Sequence, residues 1–387
     1  MIIRPTLPGL LFAAAATALF AQPPAPNVTP IATGLDTPMK IVRTAGGNLL
    51  VTEAGKEKNG GRVTRLTRSG TKTAILEGLP SSSTPEGQSG PNGLIVDAQG
   101  RLIVAIGEGD MMVSGPRPGS LIPNPAGPSS PLFSSLLLLD ELSAPIDNVT
   151  APFRVSDADT AALADGQRVK LTNANNQTAW ITVLHDFRDY TPDAAIITRA
   201  SNPFGLALDP ARPNTLYVTD AGQNAVWTVN LETGRARVVG RIPQIRQEAG
   251  VLPPVSDAVP TSVRVFDGKL LVSLLTGFPF APGAGRVLLM DPATGAIEPF
   301  INGLTSVMDV DFQERPNGRP RFYTLEFSGS MTAQPPLPGR LQQFDTPAGT
   351  QIAPVLITPV SMALDAAAGE LYVTEMALGR VSLVKVQ

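Results

Sequence analysis

Asn202-Pro203-Phe204-Gly205-Leu206-Ala207, then Leu216-Tyr217-Val218-Thr219-Asp220, Gln223-Asn224-Ala225-Val226-Trp227 and Arg237-Val238-Val239-Gly240-Arg241, make up one full period of this chain. Four short runs rich in β-branched and aromatic residues are separated by Gly, Pro, Asn and Asp, which is the pattern of strands joined by turns. The first run opens at a turn and the second ends at an acid. Working outward, the same opening recurs at Thr37-Pro38-Met39-Lys40, Gly90-Pro91-Asn92-Gly93, Val259-Pro260-Thr261-Ser262, Ser306-Val307-Met308-Asp309 and Thr358-Pro359-Val360-Ser361. Second runs follow, such as Leu49-Leu50-Val51-Thr52-Glu53 and Leu371-Tyr372-Val373-Thr374-Glu375. Third runs often begin with one pair, seen as Gly61-Arg62, Gly285-Arg286, Gly339-Arg340 and Gly379-Arg380.

A four-strand period found six times predicts an all-β six-bladed β-propeller with four-stranded antiparallel blades. The sixth period stops after its third strand, at residues 381–386. Val28-Thr29-Pro30-Ile31-Ala32 is expected to complete that last blade, which closes the ring without an exposed seam. The propeller therefore spans residues 28–387. Ahead of it, Arg4 and the apolar run from Leu10 to Ala21 read as a signal peptide, residues 1–21, followed by a Pro-rich linker, 22–27. An uncleaved anchor is the alternative. The expected location is periplasmic or extracellular, with no membrane span after signal cleavage.

Composition agrees with this and excludes some partners. Of 387 residues, 43% are hydrophobic, enough for a sizeable core, and 38 prolines with 36 glycines suit a chain of many turns. The formal net charge of −3 carries no basic excess, so a nucleic-acid partner is not expected. Cysteine is absent, so neither a disulfide framework nor thiol chemistry is available.

In an antiparallel blade the turn into the first strand and the loop after the second share one face. The long insertions 79–90, 107–133, 188–201, 243–259, 276–284 and 327–338 fall there, and long loops on a rigid scaffold are where binding usually resides. The insertion 141–177 lies instead between the third and fourth strands of blade 2, and a hairpin extending that blade is expected. The candidate binding residues at the channel mouth are Asn92, Asn202, Thr261, Ser262 and Asp309, with Phe278 and Phe280 on the 276–284 loop. Asp309 has no acidic equivalent in the other periods and is the preferred functional carboxylate, the alternative being a hydrogen-bonded spacer. Phe278 and Phe280, alternating with Pro279, suit an apolar or aromatic ligand or else plug the mouth as a small core. The recurrent acids Glu53, Asp220, Glu326 and Glu375 are expected to fix the turn before the third strand. The Gly-Arg arginines are expected to pair between blades. His185, the single histidine, is placed on an outer strand away from any chemistry.

Two resemblances bear on function. Pro91-Asn92-Gly93-Leu94 resembles the turn that supplies an asparagine metal ligand in the gluconolactonase and senescence-marker propellers. The acidic partner such a site implies has no counterpart, because the same register holds Met39, Phe204, Thr261, Met308 and Val360. No cofactor is expected, and a divalent cation is the minor alternative. Val259-Pro260-Thr261-Ser262-Val263 with Leu275-Thr276-Gly277-Phe278-Pro279-Phe280, and Asn202-Pro203-Phe204-Gly205-Leu206-Ala207 with Asp220-Ala221-Gly222-Gln223-Asn224-Ala225, resemble the ScyD/ScyE family. The resemblance runs from Val28 to the C-terminus, with the 141–177 insertion and Leu274 as departures. It implies an exported six-bladed propeller related to NHL-repeat proteins, and it carries no catalytic residue with it. The expectation is an exported binding or scaffold protein that presents a small-molecule or protein site on the long-loop face. The alternative is a propeller enzyme, hydrolase- or lactonase-like, acting at the central channel. Neither a catalytic residue nor an oligomeric state follows from the residues.

Overall fold

The turn that opens each period builds the same backbone bridge six times. The carbonyl ahead of the innermost strand accepts the N–H of the residue just past the second strand. Thr37 accepts from Ala54, Gly90 from Gly107, Asn202 from Ala221, Val259 from Leu275, Ser306 from Phe327 and Thr358 from Met376, at 2.8–3.1 Å. Thr37, Val259, Ser306 and Thr358 do so at φ between 45° and 58°, a left-handed conformation uncommon outside glycine, so these turns hold local backbone strain. The proline that follows in five of the six turns lacks an N–H, and the first residue of a strand tolerates that loss.

The computed structural model describes residues 28–84, 87–116, 120–187, 200–247, 250, 252–316, 318–345 and 349–386. The signal peptide 1–21, the linker 22–27 and most of the 188–201 loop lie outside them. Six antiparallel sheets stand in a ring. Their innermost strands are Pro38–Arg43, Pro91–Val96, Pro203–Asp209, Pro260–Phe266, Val307–Gln313 and Pro359–Asp365. Each packs against the next, and the sixth against the first. Val28–Ala32 pairs antiparallel with Arg380–Lys385, Val28 opposite Val384, so the first described segment completes the last blade as expected. The fold is a six-bladed β-propeller.

The apolar core lies between blades. Tyr323, Leu325 and Leu341 of blade 5 pack on Met362, Leu371 and Val373 of blade 6, and Ala363 and Tyr372 of blade 6 pack on Ile41, Leu49 and Val51 of blade 1. Where adjacent innermost strands come closest, side chains vanish. A Cβ on Gly93 would lie 2.2 Å from the Phe204 carbonyl oxygen, and one on Gly205 would lie 2.7 Å from Ser262 Cα.

The 141–177 insertion holds the expected hairpin, with Val169–Thr172 pairing antiparallel with Thr178–Asp186 of blade 2. It also reaches blade 1. Phe153–Arg154 adds a parallel pair to Lys72–Leu79, and the Asp147 carboxylate accepts from Thr44 Oγ1 and Asn48 Nδ2, each at 2.8 Å. Between these segments a helix, Asp157–Ala164, is closed by a reciprocal Ser156–Asp159 cap. The insertion therefore braces the outer edges of two blades.

Candidate functional site

The recurrent acids act on the turn into the innermost strand more than on the turn that follows them. Glu326 accepts the Thr305 N–H at 3.1 Å, Glu375 the Ile357 N–H at 2.7 Å, and Asp220 the Asn202 N–H at 2.8 Å. Asp220 also takes the Gln223 N–H, the one bond of the expected kind. The Gly-Arg arginines pair within their own blade, correcting the cross-blade expectation. Arg380 forks onto Glu375 at 2.7 and 3.1 Å, and Arg340 pairs with Glu326. The register explains why, since Glu375 lies opposite Arg380 and Glu326 opposite Arg340 on adjacent strands. Burial pushes the Asp220 and Glu326 carboxyls up from their ordinary range, against the hydrogen bonds that stabilise the charge.

At the channel mouth the leading residues of the innermost strands form an apolar layer. Met39, Met308, Val360 and Ala54 are buried, with Phe204, Leu275, Phe327 and Met376 packed against them and partly exposed. Met39, Phe204, Met308 and Val360 share one register in the sequence, where they read only as lacking an acid, and the sequence assigns Leu275, Phe327 and Met376 no part at the mouth. This cluster fills the mouth, a role considered for Phe278 and Phe280. Those two rings meet edge-on at 6.3 Å, and Phe278 stands 56% exposed on its loop.

One residue deeper lies an ionic layer. Asp309 is fully buried, and both of its oxygens are occupied. Oδ2 accepts from Lys40 Nζ at 3.0 Å, Ser361 Oγ at 2.9 Å and the Met362 N–H at 3.1 Å; Oδ1 accepts from Arg264 at 3.0 Å and the Val310 N–H at 3.0 Å. Burial opposes the charge, but Arg264 and Lys40 overcome it and hold the Asp309 carboxyl below its ordinary range. Burial pulls the Lys40 ammonium down, and Asp309 draws it back part of the way. Asp309 thus lies beneath the mouth as the shared counter-ion of blades 1 and 4, which matches the spacer reading. Neither partner is evident from sequence: Arg264 comes from the neighbouring blade 4, two positions past the shared register, and Lys40 from blade 1, which meets blade 5 only in the closed ring.

Thr261 and Ser262 are buried and stitch the seam between blades 4 and 5. Thr261 donates to the Val307 carbonyl at 2.9 Å, and Ser262 Oγ accepts the Val310 N–H at 3.2 Å. Asn92 and Asn202 do come together, with Asn92 Nδ2 donating to Asn202 Oδ1 at 3.1 Å. They meet where Gly107 leaves room, since a Cβ there would lie 2.1 Å from Asn92 Nδ2. Among the described residues, Asn92 Oδ1 is buried without a hydrogen-bond partner. His185 is half-buried on the outer strand of blade 2 and stacks edge-on with Phe187 at 4.6 Å. Among the described residues, no three His, Asp or Glu side chains converge as a metal-binding group. No helix among them is long and apolar enough to cross a membrane.

No family model matches the chain, and no curated protein does. Solved structures match over nearly the whole chain. A glucose dehydrogenase aligns at 15% identity and TM-score 0.51, covering 94% of this chain and 100% of its own. A gluconolactonase from Xanthomonas campestris aligns at 12% identity and TM-score 0.50, covering 93% and 89%. A mutant Trypanosoma rangeli sialidase displaying trans-sialidase activity aligns at 12% and 0.50, covering 95% and 60%. At these identities the likeness is one of fold.

Proposed function

We propose that this chain is an exported binding propeller of the ScyD/ScyE type, seating an apolar or aromatic group of a small molecule or protein partner on its long-loop face. One observation carries the reading. Among the described residues, four of the five exposed large apolar side chains, Ile122, Leu252, Phe278 and Leu337, lie on loops of that face, the face that also carries the Met39–Met308–Val360 cluster. Exposed apolar side chains gathered on one face mark an interaction site, and methionines adapt their shape to an occupant. The sequence likeness to ScyD/ScyE proteins is concentrated in the turns and loops of the same face, which supports export and a shared architecture.

A second reading, an enzyme acting at the mouth, is favoured by the unpartnered Asn92 Oδ1, since a buried acceptor beside a glycine gap suits a polar group of a substrate.

The test is fluorescence titration of the full-length protein with 2-naphthol, a neutral aromatic probe. Saturable binding that Phe278→Ala or Phe204→Ala weakens by about fivefold or more, roughly the loss of one aromatic contact, is the expected result. Binding that neither substitution affects, or no binding, removes the aromatic-site reading.

A further inference from the structure

The channel has a second end. Below the Asp309 layer, the latter halves of the innermost strands surround a cavity of about 420 Å³. Those strands start on the long-loop face and run away from it, so the cavity lies toward the short turns, on the side opposite the proposed aromatic site. Its volume falls in the range of small-molecule sites. The walls are aliphatic, with Ile95, Leu208, Val265 and Leu364 among them, and Lys40, Arg264, Arg43 and Asp311 are the charged lining groups.

The charges on this lining do not balance. Three cations face a single carboxylate, because Asp309, which satisfies Lys40 and Arg264, lies beneath the lining with both oxygens occupied. Arg43 pairs with Asp365 at 2.7 Å, but that carboxylate is shared with Arg68. Lys40 has three N–H donors, and Asp309 takes one. Arg264 Nε is 3.7 Å from Asp311, too long for a good hydrogen bond. Burial pushes the Asp311 carboxyl up, which weakens the one negative charge facing the cavity. An aliphatic wall around such a floor strengthens any anion that reaches it.

We infer that this cavity is a binding site for a small apolar monocarboxylate, its hydrocarbon part against the Ile95–Leu208–Val265–Leu364 wall and its carboxylate on Lys40 and Arg264. The class follows from the lining: a polyol would leave the wall unused, and an amine would meet three cations. The site is independent of the long-loop face, which the ionic layer and the methionine cluster separate from it.

Isothermal titration of the full-length protein with hexanoate, 1-hexanol and hexylamine tests this. The acid should bind saturably, about tenfold or more tighter than the alcohol, the equivalent of one charge-assisted hydrogen bond, and the amine should bind weakest. Leu364→Trp and Ile95→Trp, which fill the cavity from different blades while leaving the ion layer intact, should each weaken the acid by about tenfold. Thermal unfolding confirms that each variant is folded. Phe278→Ala should leave the acid's affinity unchanged, so failure here is distinguishable from failure of the 2-naphthol site. No binding of the acid, an alcohol or amine that binds as tightly, or binding lost in Phe278→Ala and kept in both tryptophan variants, overturns the inference.

Discussion

The channel mouth and the layer one residue beneath it are built from the same innermost strands, yet their chemistry is opposite. At the long-loop end the first side chains of the innermost strands are Met39, Phe204, Met308 and Val360, and they close the mouth by apolar contact. One step deeper stand Lys40, Asp309 and Ser361, joined by Arg264, and the channel is held by ion pairs and hydrogen bonds. The contrast shows how adjacent positions in a strand can divide a narrow pore into layers. Apolar contact at the mouth is adaptable and excludes water. The ion layer is rigid, because every donor around Asp309 comes from a different strand position. The two proposed sites lie at the apolar mouth and in the cavity beyond the ions, with the ion layer between them.

The contrast can be broken most forcefully at Asp309. Asp309→Ala would strand Lys40 and Arg264 without their counter-ion, and a loss of about 3–5 kcal/mol is expected in urea unfolding, as for other buried ion pairs that lose one partner. A loss under 1 kcal/mol would mean that water already satisfies this layer. Met308→Ala, at the apolar end, should cost about 2–3 kcal/mol, the lower part of the range for core methionines, since the mouth lies near solvent.

Acid separates the layers further. Asp309 is held below its ordinary value, so its contribution is complete above the unfolded carboxylate pKa of about 3.9 and is lost as pH falls through the lowered folded value. Asp220 and Glu326 are raised and act in the opposite sense, their ionised forms costing stability as pH rises through their folded values. Unfolding midpoints from pH 7 to pH 2 should therefore fall less steeply in Asp309→Asn than in the parent at the acid end. The smallest effect is expected at Phe278→Ala, within about 0.5 kcal/mol of the parent, because the ring is exposed. A larger loss would make that ring part of the fold and weaken the case for a binding role.

The architecture was legible in the sequence because a propeller repeats its local rules. Pro-led turns, acid-ended second strands and an incomplete last period were enough to place each blade and the closing strand. The site was less legible, for a physical reason. Thr261 and Ser262 lie on the innermost strand of blade 4, where hydroxyls serve equally for binding and for stitching strands, and the seam to Val307 and Val310 takes them up. Asp309 stood out as an exception to the repeat, yet its meaning depended on Arg264 of the neighbouring blade 4 and on Lys40 of blade 1, which is remote in sequence. The second contact of the insertion was hidden in the same way, since a two-residue parallel pair such as Phe153–Arg154 on blade 1 leaves no periodic trace.

Ring closure also dictates an order of events. Among the described residues Val28–Ala32 pairs with Arg380–Lys385, so the sixth sheet cannot be completed until those residues have been made. Five blades can form from local pairings, but the joint that seals the circle spans more than 340 residues, Ala32 to Val381, and its loop-closure entropy falls at the end of folding. A nascent chain of this kind stays open at one seam until the third strand of its sixth blade has been made. Shortening either terminal strand should therefore act on the last folding step before it acts on any single blade.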